Sequence, residues 1–159
     1  KSVLLKNKFI NIENLLQKKT VVGKYGPYLM HAIYIADDSS DSIIRGNRFE
    51  SFTGSPIRIR NRSDRTRIFD NSFENPVYVS SPNEGYIMKA VSQWYCNEAV
   101  GDCIHKDPEC PSLGTVLNGN SIGKGLELYA DESQSKNSTC PLDKLRLRNI
   151  ENPGEVEFK

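Results

Sequence analysis

Five arginines fall within ten residues, Arg58, Arg60, Arg62, Arg65 and Arg67, in a chain whose 21 basic and 20 acidic residues otherwise nearly cancel. Guanidinium groups grip carboxylates and sulfates through paired N–H donors. The run therefore reads as an anion groove, or else as a solvated face in which Asp64, Asp70 and Glu74 neutralise the arginines in weak surface pairs. Tyr34 and Tyr78 sit in short runs of the same apolar-polar-apolar form as Arg58: Ile33-Tyr34-Ile35, Ile57-Arg58-Ile59 and Val77-Tyr78-Val79. A tyrosine face stacks on the apolar side of a pyranose ring. A strip of Tyr34, Arg58 and Tyr78, with Arg60 and Arg62 following, suits an acidic sugar polymer.

Other residues offer proton chemistry. His31 precedes the Tyr34 run and could act as acid or base near neutral pH, or serve structure alone. Lys89 stands near Trp94 and Tyr95, so Trp94 either packs under a loop or walls one side of a groove with Lys89 as a base. Asp37, Asp38 and Asp41 present carboxylates of the kind calcium takes, although Ser39 and Ser40 between them give an ordinary polar bend. A zinc set of Cys96, Cys103, His105 and Cys110 lacks the close cysteine pairs of a zinc knuckle. No Ser-His-Asp spacing, phosphate loop or nucleotide fingerprint occurs.

The elements that would hold these groups repeat. Asn7, Asn47, Asn71 and Asn120 are each followed two places on by Phe9, Phe49, Phe73 or Ile122, at steps of 40, 24 and 49 residues. Such steps fit coils of a solenoid, each too thin to bury its own hydrophobic face and so obliged to stack. Asparagine suits the turns because it tolerates the left-handed backbone and bonds to neighbouring backbone groups. In register its amides can also form ladders. The middle residue of each apolar-polar-apolar run then faces outward. With coils about 4.8 Å apart, the strip from Tyr34 to Tyr78 would be about 10 Å long. Ile43-Ile44 has an echo in Ile68-Phe69.

The 159 residues are enough for one domain. An apolar fraction of 37% and a mean hydropathy of −0.54 are low for a globule but suit a thin-cored solenoid. A net charge of +1 advertises neither nucleic acid nor an anionic membrane. No apolar run is long enough to span a bilayer. The regular runs break over residues 81–115, rich in proline and cysteine, which reads as a lateral loop inserted into a single domain over 1–159. Cys96, Cys103, Cys110 and Cys140 form an even set, read as two disulfides in one of three connectivities. With the sequons at Asn61 and Asn137, they favour an oxidising compartment, hence a secreted or cell-surface protein. Strands are expected from residue 2 to residue 158 with no capping helix. The chain is therefore expected to be a segment of a longer solenoid, or to stack on further coils or another subunit.

The stretch Ala32 to Val79, AIYIADDSSDSIIRGNRFESFTGSPIRIRNRSDRTRIFDNSFENPVYV, resembles the right-handed parallel β-helix repeats of the pectate-lyase-like superfamily. The resemblance implies an all-β, right-handed parallel β-helix, here with a disulfide-stapled lateral loop. It also implies carbohydrate engagement. In the superfamily's lyases a basic residue abstracts the proton α to a uronate carboxylate, while cations or calcium stabilise the enediolate. For this chain that directs attention to Arg58 and Arg60, with Lys89 and His31 as further candidates and no cofactor required unless calcium. Other members are non-catalytic surface proteins and fibres, so a binding solenoid is the alternative.

Overall fold

The computed structural model describes residues 1–13, 29–77, 87–94 and 109–131. Their regular structure is all strand: β1 (Val3–Leu5), β2 (Lys8–Ile12), β3 (Ile33–Ile35), β4 (Ile43–Arg45), β5 (Arg48–Phe52), β6 (Ile57–Arg60), β7 (Arg67–Phe69), β8 (Ser72–Pro76), β9 (Met88–Trp94), β10 (Val116–Asn118), β11 (Ser121–Ile122) and β12 (Leu126–Asp131). They form three four-stranded sheets, ordered β1-β4-β7-β10, β2-β5-β8-β11 and β3-β6-β9-β12. Every pairing is parallel. Each circuit of chain thus adds one strand to each sheet, a connectivity compatible with a β-solenoid. No helix among the described residues is long and apolar enough to cross a membrane.

Alternation drives this packing. In β3, Ile33 and Ile35 are buried while Tyr34 between them is exposed; in β6, Ile57 and Ile59 are buried while Arg58 and Arg60 are partly exposed. The inward columns are apolar, with Phe49, Phe52, Phe73, Ile44, Ile57, Ile59, Ile68, Met88 and Val91 fully buried. Phe9, Phe49 and Phe73 stack face to face, each centroid 4.9 Å from the next and the planes within 5° and 7°. The alignment puts Ile44 beside Ile68, one residue off the Ile43-Ile44/Ile68-Phe69 echo.

The asparagine ladder forms. The Asn7 backbone N–H donates to Asn47 Oδ1 (2.9 Å), that of Asn47 to Asn71 Oδ1 (2.9 Å), and that of Asn71 to Asn120 Oδ1 (3.0 Å). The side-chain amides repeat each link and also reach back to Leu4, Ile44 and Ile68 carbonyls. The left-handed residue is not the asparagine but the one before it: Lys6, Gly46, Asp70 and Gly119 all have φ between 54° and 64°. Asparagine is therefore selected here for its two-ended amide, which satisfies buried backbone groups where the chain turns.

A second ladder lies beyond the third sheet. Asp37, Asp38 and Asp41 match Asn61, Arg62 and Arg65 at a step of 24, and all six have positive φ. Arg62 Nη2 reaches Asp38 Oδ2 at 2.8 Å, Arg65 bonds both Asp41 oxygens at 2.8 Å, and Asn61 Nδ2 donates to Asp37 Oδ1 at 2.8 Å. The Arg65 bonds hold the Asp41 carboxyl below its ordinary pKa. The next circuit continues the stack, Cys110 N–H donating to Asn61 Oδ1 and Leu113 N–H to Asp64 Oδ1. The Asn61 sequon is thus bonded at both ends of its amide, and Ser63 is fully buried.

Two expectations change. The strand seated on β6 is β9, not Val77-Tyr78-Val79: Val77 N–H bonds Phe52 O at 2.9 Å and so still belongs to the edge of the β5–β8 sheet. The third sheet receives its strand only after a longer connection, and the even beat of apolar runs misplaced it. Residues 81–115 are likewise more than a loop, since they contain β9 and a turn, Glu109 to Gly114, that stacks on residues 60–65. Among the described residues no cysteine is a free thiol, but the disulfide-stapled loop is not supported; Cys96, Cys103 and Cys140 lie outside them. So do Tyr78, the Asn137 sequon, and the last of the strands expected as far as residue 158.

Candidate functional site

Five of the eight candidate side chains meet on the outer face of the third sheet. Tyr34 lies beside Arg58, and Arg58 beside Ser92, so the column reads Tyr34-Arg58-Ser92. Arg60 lies beside Trp94 in the next outward column. His31, two residues before β3, packs its ring 5.7 Å from that of Tyr34.

Arg60 is the most heavily engaged of them. Its Nε donates to Glu109 Oε2 at 2.5 Å and its Nη1 to Tyr34 Oη at 2.8 Å. Its Nη2 pairs with Glu109 Oε1, and its guanidinium carbon lies 4.3 Å from the Trp94 ring centre. Burial works against the charge, but the bonds to Glu109 and Tyr34 outweigh it and raise the pKa above the ordinary arginine value. This group holds its proton and cannot serve as a base.

The repeat explains why two residues clasp it. Trp94 is its strand neighbour, while Glu109 immediately precedes Cys110, the turn partner of Asn61. Trp94 and Glu109, 15 residues apart in the chain, thus both close on Arg60. Pairing, stacking and hydroxyl contact make Arg60 an anchor.

His31 has a defined tautomer. Its Nδ1 lies 2.7 Å from Ser55 O and carries the hydrogen, leaving Nε2 to accept from Arg58 Nε at 3.4 Å. Burial foremost, with the Arg58 charge adding and the Ser55 bond opposing, lowers its pKa from 6.5 to about 4. The unfolded chain then takes up a proton near pH 6.5 that the folded chain refuses until about 4. Neutral His31 contributes stability in full above pH 6.5, and that contribution is lost as pH falls through 4. In His31→Gln the fall in urea midpoint between pH 6.5 and 4 is expected to be shallower than in the parent; parallel curves would refute the assignment.

The remaining candidates go elsewhere. Lys89 projects from β9 and pairs with Glu127 of β12, and no contact among the described residues joins it to the cluster. Arg62 belongs to the turn ladder through Asp38. Asp38 and Asp41 are taken by arginines, and among the described residues no group of three His, Cys, Asp or Glu side chains could hold a metal ion. Glu109 escaped sequence reasoning because 49 residues separate it from Arg60 and no local pattern joins the two. Its only signal is its place just before Cys110, equivalent to that of Arg60 before Asn61.

What faces solvent is a platform. Tyr34 is 50% exposed, its hydroxyl fixed by Arg60 and its ring flanked by His31, with the Arg58 guanidinium one strand away. Comparisons with family models, curated proteins and solved structures give no match for this chain.

Proposed function

We propose that this chain is a secreted or cell-surface parallel β-helix of the pectate-lyase-like type that binds an acidic glycan on its third sheet, as a binder rather than a lyase. The observation that carries the reading is the half-exposed Tyr34 ring held beside Arg58. An aromatic face for a sugar ring and a guanidinium for a carboxylate or sulfate stand about 5 Å apart along the stack. Because Arg60 fixes the tyrosine hydroxyl, little side-chain freedom is lost on binding.

Elimination fits this geometry less well. It needs a base facing the substrate, yet Arg60 is locked as a cation, Lys89 is paired with Glu127, and His31 Nε2 is turned to Arg58. The test is a panel of uronate and sulfated polymers followed both for binding and for the absorbance of an unsaturated product. Binding without product is expected. Tyr34→Ala and Arg58→Ala are each expected to weaken it about tenfold, or about 1.4 kcal/mol, with unchanged unfolding midpoints. Accumulation of unsaturated product would restore the lyase reading; unaltered affinity in both variants would remove the site.

A further inference from the structure

The aromatic face of the platform is held by a residue far along the chain, and we infer that Glu109 is its positioning residue, acting through Arg60 to fix the Tyr34 ring and to leave the Tyr34 hydroxyl as a donor to the ligand. Glu109 is 9% exposed and stands 49 residues from Arg60 in sequence. Its two oxygens take Arg60 Nε, at 2.5 Å, and Nη2. That side-on grip occupies one edge of the guanidinium. Nη1 lies at the other edge and reaches Tyr34 Oη at 2.8 Å. The Trp94 ring, its centre 4.3 Å from the guanidinium carbon, holds a face of the same group. With an edge and a face both fixed, the position of Nη1 is set, and with it the place of the tyrosine hydroxyl.

Glu109 is itself anchored through the backbone. Cys110 N–H donates to Asn61 Oδ1 (3.2 Å), Arg62 N–H to Cys110 O (3.1 Å) and Ser63 N–H to Ser112 Oγ (3.0 Å), so the turn after Glu109 is fastened to the turn after Arg60. A buried ion pair adds little to stability over apolar residues of the same volume, because desolvation offsets the attraction. What an apolar pair cannot do is hold a hydroxyl. Tyr34 Oη accepts from Arg60, and no acceptor among the described residues takes its own hydrogen, which is left for an oxygen of the ligand. Glu109 also cancels the Arg60 charge, so the cation that an acidic sugar meets beside Tyr34 is Arg58. The consequence for binding rests on the glycan-binding reading above; the link from Glu109 to Tyr34 does not.

Glu109→Gln keeps the shape of the side chain and removes its charge. Alginate, a uronate polymer, and dextran sulfate are titrated calorimetrically into the intact protein, into Glu109→Gln, and into each of these carrying Tyr34→Phe, which retains the ring and lacks the hydroxyl. Glu109→Gln is expected to lose about fivefold more affinity in the parent than in Tyr34→Phe, the scale of one side chain that must be ordered on binding. The lost carboxylate also acts directly on an anionic polymer, but in both backgrounds alike, so the difference between them isolates the positioning. Arg60→Met with Glu109→Leu, which replaces both charges by apolar bulk and so spares the fold, is expected to show the same difference; equal effects in the two backgrounds would overturn the inference. A second readout needs no ligand. The ring-carbon NMR signals of Tyr34, assigned by their absence in Tyr34→Phe, are expected to move in both Glu109 variants toward those of a solvent-exposed, freely turning tyrosine. Unmoved signals would overturn the inference whatever the polymers do. Moved signals, with neither polymer binding the parent, would remove the glycan reading and the ligand half of the inference with it, leaving Glu109 as the residue that fixes Tyr34.

Discussion

Asn71→Ala is expected to destabilise the protein by about 4 kcal/mol, a large share of the roughly 5–15 kcal/mol that holds a domain folded. Asn71 is 1% exposed. Its Oδ1 accepts from the Asn47 backbone and side chain, and its Nδ2 donates to Asn120 Oδ1 and Ile44 O. Truncation leaves the Asn47 N–H buried without a partner, at about 1–3 kcal/mol, removes the side-chain donor from the Ile44 carbonyl and the amide link to Asn120 at about 1 kcal/mol each, and opens a small cavity besides. Asn7→Ala supplies the control, because Asn7 ends the ladder in solvent and its loss is expected to cost only about 1 kcal/mol. Asn71→Asp keeps the acceptor but loses both donors and buries a charge, so it is expected to be the worst of the three at neutral pH and to recover part of its stability as the pH falls. The comparison is made by urea denaturation, and equal losses for Asn7→Ala and Asn71→Ala would contradict a load graded by burial.

The same residues show what could be read without coordinates. The steps between Asn7, Asn47, Asn71 and Asn120 and the alternation in Ile33-Tyr34-Ile35 and Ile57-Arg58-Ile59 announce parallel stacking, because a repeat that buries one face per strand leaves a periodic trace. They place Tyr34 beside Arg58 correctly. What they do not carry is the length of each connection. Coil three supplies its third strand from Met88 onward, so the place beside Arg58 that local pattern gives to Tyr78 is taken by Ser92.

The arginine run illustrates a second limit. Sequence alone treats Arg58 to Arg67 as one charged feature, but alternation and turn geometry divide it. Arg58 faces the Tyr34 platform, Arg60 is held by Glu109 and Trp94, and Arg62 and Arg65 pair with Asp38 and Asp41 in the turn below. Counting charge leaves two readings open, an anion groove or a solvated face of surface pairs. Partner by partner, Arg60, Arg62 and Arg65 are paired with Glu109, Asp38 and Asp41, and it is Arg58 that lies beside Tyr34, which narrows the candidate surface to these two and their immediate neighbours.

Phe49→Ala is expected to cost about 5 kcal/mol and to uncouple the first circuit from the rest. Phe49 is 1% exposed and lies between two parallel rings at 4.9 Å. Truncating a buried phenylalanine costs roughly 3–5 kcal/mol, and two lost ring contacts add about 1 kcal/mol each. The damage should not spread evenly. On one side Phe73 remains packed against Ile44, Ile68 and the other residues of the central core; on the other, Phe9 belongs to a strand whose residues are all at least partly exposed, and it would lose its main buried neighbour. Amide exchange in Phe49→Ala is therefore expected to accelerate most across β1 and β2, while β6 and β9 keep their order of protection. Phe49→Leu, which fills much of the gap without the ring faces, is expected to lose about 1.5 kcal/mol and leave β2 protected. Uniform acceleration through all three sheets in Phe49→Ala would show that the circuits melt as one unit, and that the aromatic column transmits stability along the axis as strongly as the backbone ladders do.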